Sequence, residues 1–258
     1  MCLLIVLSRV VAGAPLVVAG NRDERLDRPA EAMAVLRASG PRTIGGRDLA
    51  AGGTWLAVNE HGVVAGLTNR PQLDGADPQK RSRGELPLAL TSRPTVAEGV
   101  DAFLAGHDPA DYNPAWLLAA DRHSLFSIDL TGASATSREL PPGIHVLENR
   151  PLDESSQKLD HVRGLLSGIG ALPIEQVVAR LEVVMADHRR HSIPDDTIDD
   201  HREARLAATA ACSHTDGYGT RWSGIVTVAA HPDARPAFRH TDGPPCTSPF
   251  ADAATGWD

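Results

Sequence analysis

Aromatic side chains are scarce. Tryptophan, tyrosine and phenylalanine make up 4% of the 258 residues, too few for a platform on which single-stranded nucleic acid would stack. Basic charge is also short. Lys and Arg number 25 against 33 Asp and Glu, a net charge of −8, so the basic footprint of non-specific nucleic-acid binding is missing. Cysteine occurs three times, as Cys2, Cys212 and Cys246, without the paired spacing of a disulfide framework or a zinc site. Reduced thiols in a cytoplasm are the simpler reading. No apolar run reaches the ~18 uninterrupted residues of a membrane span. The opening "MCLLIVLSRVVAGAPLVVAG" comes nearest, but it lacks the basic start of an export signal and Arg9 interrupts it. It reads as two buried strands, Leu3–Leu7 and Leu16–Ala19, turned at "AGAP" by Gly13 and Pro15.

What is present is ordinary globular material, 42% hydrophobic and 22% charged. Without repeats or a linker, residues 1–258 read as one domain, with a loosely ordered tail from about 241. "TWLAV" and "GVVAGLTN" predict strands about a hairpin turn at "NEHG". "PAWLLAADRHSLFSIDLTG" predicts two more strands, and "GIHVLEN", "TRWSGIVTVAAH" and "RPAFRHT" one each. Helical spacing runs through "LPLALTS", through Val96, Val100, Phe103 and Leu104, through Leu159, Val162, Leu165 and Leu166, and through Val177, Leu181, Val184 and Met185. The polar "QLDGADPQKRSRGE" reads as an exposed loop able to act as a lid, and "HSIPDDTIDDHREARLA" as an acidic loop. Strands at both ends with helices between them imply sheets covered by helices.

The residue that asks for a chemical explanation is Cys2. If Met1 is removed, one residue carries both a thiol and a free α-amine. That amine, of ordinary pKa roughly 7.7–8, suits a general base at neutral pH. A thiol so assisted is a competent nucleophile. It then requires a group to orient the amine, a cation near the thiolate, and donors for an oxyanion. "GNRDE" places Asn21, Arg22, Asp23 and Glu24 at the end of the second strand. If that edge stays extended, Asn21 and Asp23 share one face and Arg22 and Glu24 the other. Asn69 and Asn149 end two further apolar strands, where an amide can donate to an oxyanion. Trp55, Trp116 and Trp222 are candidate pocket walls. His188 and His191 in "HRRH" have the i, i+3 spacing of one helix face, where cations also suit a helix end.

Taken together, "MCLLIVLSRV", "AGNRDERLDRPA", "GGTWLAVNEHGVVAGLTN", "RGELPLALT", "YNPAWLLAAD", "GIHVLEN" and "GYGTRWSGIVTV" resemble the NRDE family, also called the transport and Golgi organisation protein 2 family. A more distant similarity is to the choloylglycine hydrolases, which are N-terminal-nucleophile hydrolases. These resemblances imply an α+β, four-layer αββα sandwich of two stacked, mainly antiparallel sheets covered by helices. They also imply catalytic roles for Cys2, Arg22, Asp23, Asn69 and Asn149. Asn21, Arg221 and Trp55 would contact substrate. The hydrolases carry Arg and Asp in a Gly-Arg-x-x-Asp stretch, whereas here Arg22 and Asp23 are adjacent.

Two functional classes follow. One is a cysteine amidohydrolase that cleaves an amide or related acyl bond of a small molecule, with no cofactor and no metal. The other is a non-catalytic carrier of haem or a lipid-like ligand on the same scaffold, with Cys2 or a histidine able to contact haem iron. A third, purely structural role for "NRDE" predicts effects on stability alone. Neither nucleic acid nor a membrane span is expected, and the oligomeric state is open.

Overall fold

The computed structural model describes residues 3–73, 75–192, 206–253 and 257. The chain opens with a hairpin of β1 (Leu3–Val11) and β2 (Ala14–Arg25), in which Leu3 stands opposite Asn21 and Val11 opposite Ala14. Both strands outrun the apolar pattern. β2 continues through the charged "NRDER" because that stretch pairs with β12 (Tyr218–Val228). Arg9, which breaks the apolar run, sits at a register shift with φ 58 and donates to the carbonyls of His123 and Leu140. The irregularity turns one charged side chain out of an otherwise buried strand.

The first sheet has the order β10 (Gly143–Leu147), β1, β2, β12, β13 (Ala237–His240), β14 (Ala251–Asp252), with β11 (His214–Thr215) joined to β12. The second runs in chain order: β3 (Ala30–Arg37), β4 (Thr43–Asp48), β5 (Leu56–Asn59), β6 (Val64–Asn69), β7 (Ala115–Ala120), β8 (Leu125–Leu130) and β9 (Ala135–Glu139). Every pairing among these strands is antiparallel.

Strand alternation then builds three apolar layers. Leu4, Val6, Leu16 and Val18 of the first sheet meet Ile44, Leu56, Val58 and Val64 of the second. Their neighbours Leu3, Ile5, Leu7, Val17 and Ala19 face outward onto α3 (Gln157–Leu165) and α4 (Ile174–Met185). The outer face of the second sheet is covered by α1 (Glu85–Leu90) and α2 (Val96–Gly106). β1 is buried on both faces, which is why its sequence is a continuous apolar run rather than an alternating one. Each such side chain contributes about 1.5–3 kcal/mol on burial. The fold is thus the expected α+β sandwich with helices on both outer faces.

The helices follow the predicted stripes, with one difference. Val177, Leu181, Val184 and Met185 of α4 are all buried. In α2 the buried stripe passes through Gly99 and leaves Leu104 37% exposed. α1 crosses so closely that a Cβ at Gly99 would fall 2.2 Å from the Leu90 carbonyl oxygen, so the helix rolls toward its small residue. The stretch from 241 is attached to the fold. β14 pairs with β13, and the Trp257 indole donates to the Pro236 carbonyl at 2.9 Å. Most of the acidic loop, residues 193–205, lies outside the described residues.

"GGTW" has a steric explanation. Gly52 and Gly53 both take positive φ (68° and 78°), but only Gly53 is packed against backbone: a Cβ there would fall 2.4 Å from the Gly84 carbonyl carbon. Next to it the Thr54 amide donates to the Gly84 carbonyl at 2.9 Å. Gly52→Ala is expected to cost about 1–3 kcal/mol from the backbone alone. Gly53→Ala must also push two chain segments apart, so its urea midpoint is expected to fall well below that of Gly52→Ala. Equal midpoints would show that the close approach contributes nothing.

Candidate active site

One end of the molecule gathers the ends of several strands. Leu3 is registered with Asn21 on one side of β1, and Leu4 with Leu147 on the other. The start of β1 is therefore flanked by "NRDE" from β2 and by the residues that follow β10. Cys2 itself lies outside the described residues.

The extended backbone of β2 divides "NRDE" between two faces. Asn21 is fully buried on the helix side, where its Nδ2 donates to the carbonyls of Met185 and Ala211, each at 2.8 Å. Both amide hydrogens are used in tying β2 to the end of α4 and to the segment before β11. Asp23 is also buried, and its Oδ1 accepts from Thr220 Oγ1 at 2.5 Å. Arg22 points the other way, into the space between the sheets. Its Nη2 lies 3.2 Å from Asp48 Oδ2 and 3.9 Å from Glu24 Oε2, and its guanidinium stacks 4.5 Å from the Trp55 ring centre. Burial lowers the Arg22 pKa against the pull of Glu24 and Asp48, yet a guanidinium stays charged. Asp48 is the hub of this cluster. It also takes Arg28 Nε at 2.7 Å and the amides of Ala50 and Ala51 at 2.9 and 3.0 Å. Burial pushes its carboxyl up, but the Arg28 and amide hydrogen bonds outweigh that and hold it below the usual 3.8.

Arg22, Trp55 and Asn69 line a cleft of about 320 Å³ between the sheets. The predicted loop over 72–85 forms part of its wall and supplies Lys80, Arg81 and Arg83. Lys80 and Arg83 donate to the carbonyls of Tyr112 and Pro114 and have no ion pair among the described residues. With Arg22 and Arg28, five cationic side chains line the cleft against two acidic ones, Glu24 and Asp48. Arg81 is paired with Glu85 and Asp111, so the local excess rests on Lys80 and Arg83 and is opposite in sign to the net charge of the chain.

Asn69 and Asn149, 80 residues apart, meet: Asn149 Nδ2 donates to the Asn69 main-chain oxygen at 2.7 Å. Beside them Thr68 Oγ1 donates to the Glu148 carbonyl at 3.0 Å, joining the two sheets where the strands end. Trp222 lies edge-on to Trp55, ring centres 5.3 Å apart. Arg221 stands at a register shift in β12 and donates to the carbonyls of Arg25 and Arg28, outside the cleft wall. Arg22, Trp55, Asn69 and Asn149 are thus brought together. Asn21 and Asp23 stand behind them on the far face of β2.

A second cavity, about 260 Å³, is lined by Trp116, Leu147, Pro151 and Leu152 together with polar residues of β8 and β9. Neither cavity has a histidine in its wall. His188 and His191 do not share a helix face, because α4 ends at Met185. The His191 ring turns to His161, 5.2 Å away. His188 turns to Cys212, His214 and Cys246, whose ligand atoms all lie within 4.8 Å of one another. Two of the three cysteines, Cys212 and Cys246, therefore converge in space although their spacing gave no sign of it. Burial, with Cys246 beside it, pushes the Cys212 thiol up to about 12. Asp48 and Arg28 were likewise invisible to motif reading, since their partnership depends on β4 packing against the turn after β2.

A family model described as Transport and Golgi organisation 2 matches residues 1–236. The human Transport and Golgi organization protein 2 homolog is 31% identical over 236 residues, covering 83% of this chain and 82% of that protein. The Bos taurus homolog is 32% identical over 235 residues, with 83% and 82% covered. Among solved structures, the N-acylethanolamine-hydrolyzing acid amidase ortholog of Caenorhabditis elegans aligns over 98% of this chain and 100% of its own, with TM-score 0.57 and 14% identity. A variant of the conjugated bile acid hydrolase of Clostridium perfringens aligns over 97% and 92%, with TM-score 0.53 and 12% identity.

Proposed function

The chain belongs to the Transport and Golgi organisation 2 family, and from that premise we propose that it is a cysteine amidohydrolase of the N-terminal-nucleophile type. The observation that carries this reading is the convergence of the start of β1, Arg22 and the Asn69–Asn149 pair at one end of the two sheets. Two proteins of similar fold are named as an amidase and a bile acid hydrolase, which supports the same class.

In the proposed reaction Met1 is removed and the Cys2 thiol loses its proton to its own α-amine. The thiolate attacks the carbonyl carbon, and the developing oxyanion takes a hydrogen bond from the Asn69 side chain. The α-amine returns the proton to the leaving amine, giving a thioester on Cys2. Water activated by the same amine then releases the acid and restores the thiol. Arg22 on the cleft face favours the thiolate, Asn149 holds Asn69 in place and Trp55 walls the cleft, while Asp23, on the opposite face of β2 and fixed by Thr220, would orient the main-chain α-amine from behind. Lys80 and Arg83, which line the cleft without an ion pair among the described residues, favour a substrate bearing a carboxylate or phosphate near the scissile amide.

The test is hydrolysis of a panel of N-acyl amino acids against their uncharged amides. Anionic members are expected to turn over faster. Asn69→Ala is expected to lower kcat/KM roughly 10²–10³-fold with little change in unfolding midpoint. Failure of the whole panel with a protein whose Met1 is gone would sink the hydrolase reading.

The Trp116–Leu147–Pro151–Leu152 wall favours a second role, the carriage of an apolar ligand. Among the described residues neither cavity wall carries a histidine, so Cys2 is the ligand to test. A haem titration in which Cys2→Ala leaves the Soret band unchanged counts against that ligation.

A further inference from the structure

We propose that His188, Cys212, His214 and Cys246 form a tetrahedral zinc site. Four side chains from three separate segments meet here: the chain just past α4, the residues at and before β11, and the turn at 244–248 that follows β13. His214 Nε2 lies 3.5 Å from Cys212 Sγ and 3.3 Å from Cys246 Sγ. With Zn–S about 2.3 Å and Zn–N about 2.0–2.1 Å, the edges of a tetrahedron between nitrogen and sulfur ligands are about 3.6 Å. These two separations lie close to that edge, and the other ligand atoms stand within 4.8 Å.

The tautomer of His188 fits as well. Its Nδ1 stands 3.0 Å from the Cys212 carbonyl, an acceptor only, so the hydrogen resides on Nδ1 and Nε2 keeps its lone pair for a metal. A ring nitrogen tied to a backbone carbonyl is the usual support of a metal-binding imidazole. Two thiolates and two neutral imidazoles bring the charge of Zn²⁺ to zero, which suits the buried Cys212. All four ligand atoms lie within 4.8 Å of one another, so they enclose a single ion rather than the two irons of a cluster. Four protein ligands fill the coordination sphere and leave no place for a reacting water, so the ion has a structural task.

That task is legible in what the four residues hold. Cys212 and His214 flank Ser213, whose amide donates to Thr220 Oγ1 at 2.8 Å while Thr220 donates to Asp23. A metal at this point would pin the turn at 244–248 and the end of α4 against the strand that supports Asp23. The proposal stands independently of any hydrolysis, because its readouts are metal content and spectrum.

The test uses the untagged, full-length chain purified without chelator. About one zinc per chain is expected by elemental analysis. Replacement by Co²⁺ is expected to give a thiolate-to-metal charge-transfer band and the intense visible bands of a tetrahedral ion. Cys246→Ser and His188→Ala are expected to weaken zinc binding roughly 100-fold or more, at least as much as losing an outer-shell partner. Cys246 lies on the surface, so its serine variant is the one that keeps the fold should Cys212→Ser fail to form it. The proposal is overturned if the chain neither carries nor takes up zinc, if stoichiometric iron or copper is found in its place, if a Cys212–Cys246 disulfide occurs in freshly purified protein, or if both variants bind zinc as tightly as the parent.

Discussion

Replacement of Cys2 by alanine is expected to abolish hydrolysis, a fall of roughly 10⁴-fold or more in kcat, while the thermal midpoint stays within a degree or two of the parent. The size follows from the role. Without the thiol there is no acyl-enzyme, and what remains is the contribution of binding and oxyanion donors to attack by water. The small stability effect follows from the size of the change, since Cys2→Ala removes a single sulfur atom and leaves the apolar run of β1 from Leu3 onward intact. Cys2→Ser separates nucleophile from base: it keeps the α-amine and loses only the better nucleophile, so a residual, slower turnover is expected. Electrophile labelling adds a site-resolved check. Zinc on Cys212 and Cys246 would shield both thiols, and in metal-free protein the buried Cys212 is out of reach of reagent while the exposed Cys246 competes for it. Peptide mapping must therefore locate the label on the N-terminal peptide. Active protein with Met1 fully retained would end the amine-base mechanism.

The fold was largely open to inspection in the sequence because alternation and helical spacing are local. The β1–β2 hairpin, the strands about "NEHG", and the buried stripe of α4 all follow from neighbours within a few residues. The errors lie where distant chain decides the outcome. Nothing near Leu104 reveals that Leu90 will press on Gly99 and roll α2 away from it. Nothing near Arg25 shows that β12 will hold the charged end of β2 in a strand. The candidate site divides in the same way. Alternation alone separates Asn21 and Asp23 from Arg22 and Glu24, and the structure places them on those two faces. The partners that give each residue its task come from elsewhere in the chain. Asp48 reaches Arg22 from β4, Thr220 reaches Asp23 from β12, and Cys246 reaches Cys212 from the turn at 244–248.

Arg22→Leu is expected to be the most destabilising substitution in the cleft, by about 2–4 kcal/mol, read as a lowered urea midpoint at unchanged slope. The guanidinium is buried between Asp48, Glu24 and the face of Trp55. Leucine fills part of the volume but leaves the two carboxylates facing each other with Arg28 alone between them. Because Asp48 keeps Arg28 and two backbone amides, the loss stays below that of a fully orphaned buried charge. The pH dependence identifies the cause. Asp48 titrates lower in the folded chain than its ordinary 3.8, so its contribution is fully present above that value. It is lost as pH falls through the lowered folded value. In Arg22→Leu the Asp48 carboxylate loses the hydrogen bond from Arg22 Nη2 at 3.2 Å, its carboxyl moves up, the window narrows, and the acid limb of the stability curve flattens relative to the parent. Arg22→Lys keeps a charge but loses the planar stacking on Trp55 and the forked donors, so it should restore the acid limb while leaving the midpoint low. An acid limb unchanged in Arg22→Leu would mean that Arg28 and the amides alone hold Asp48 ionised, and that Arg22 is kept in the cleft for its contact with a ligand rather than for the stability of the fold.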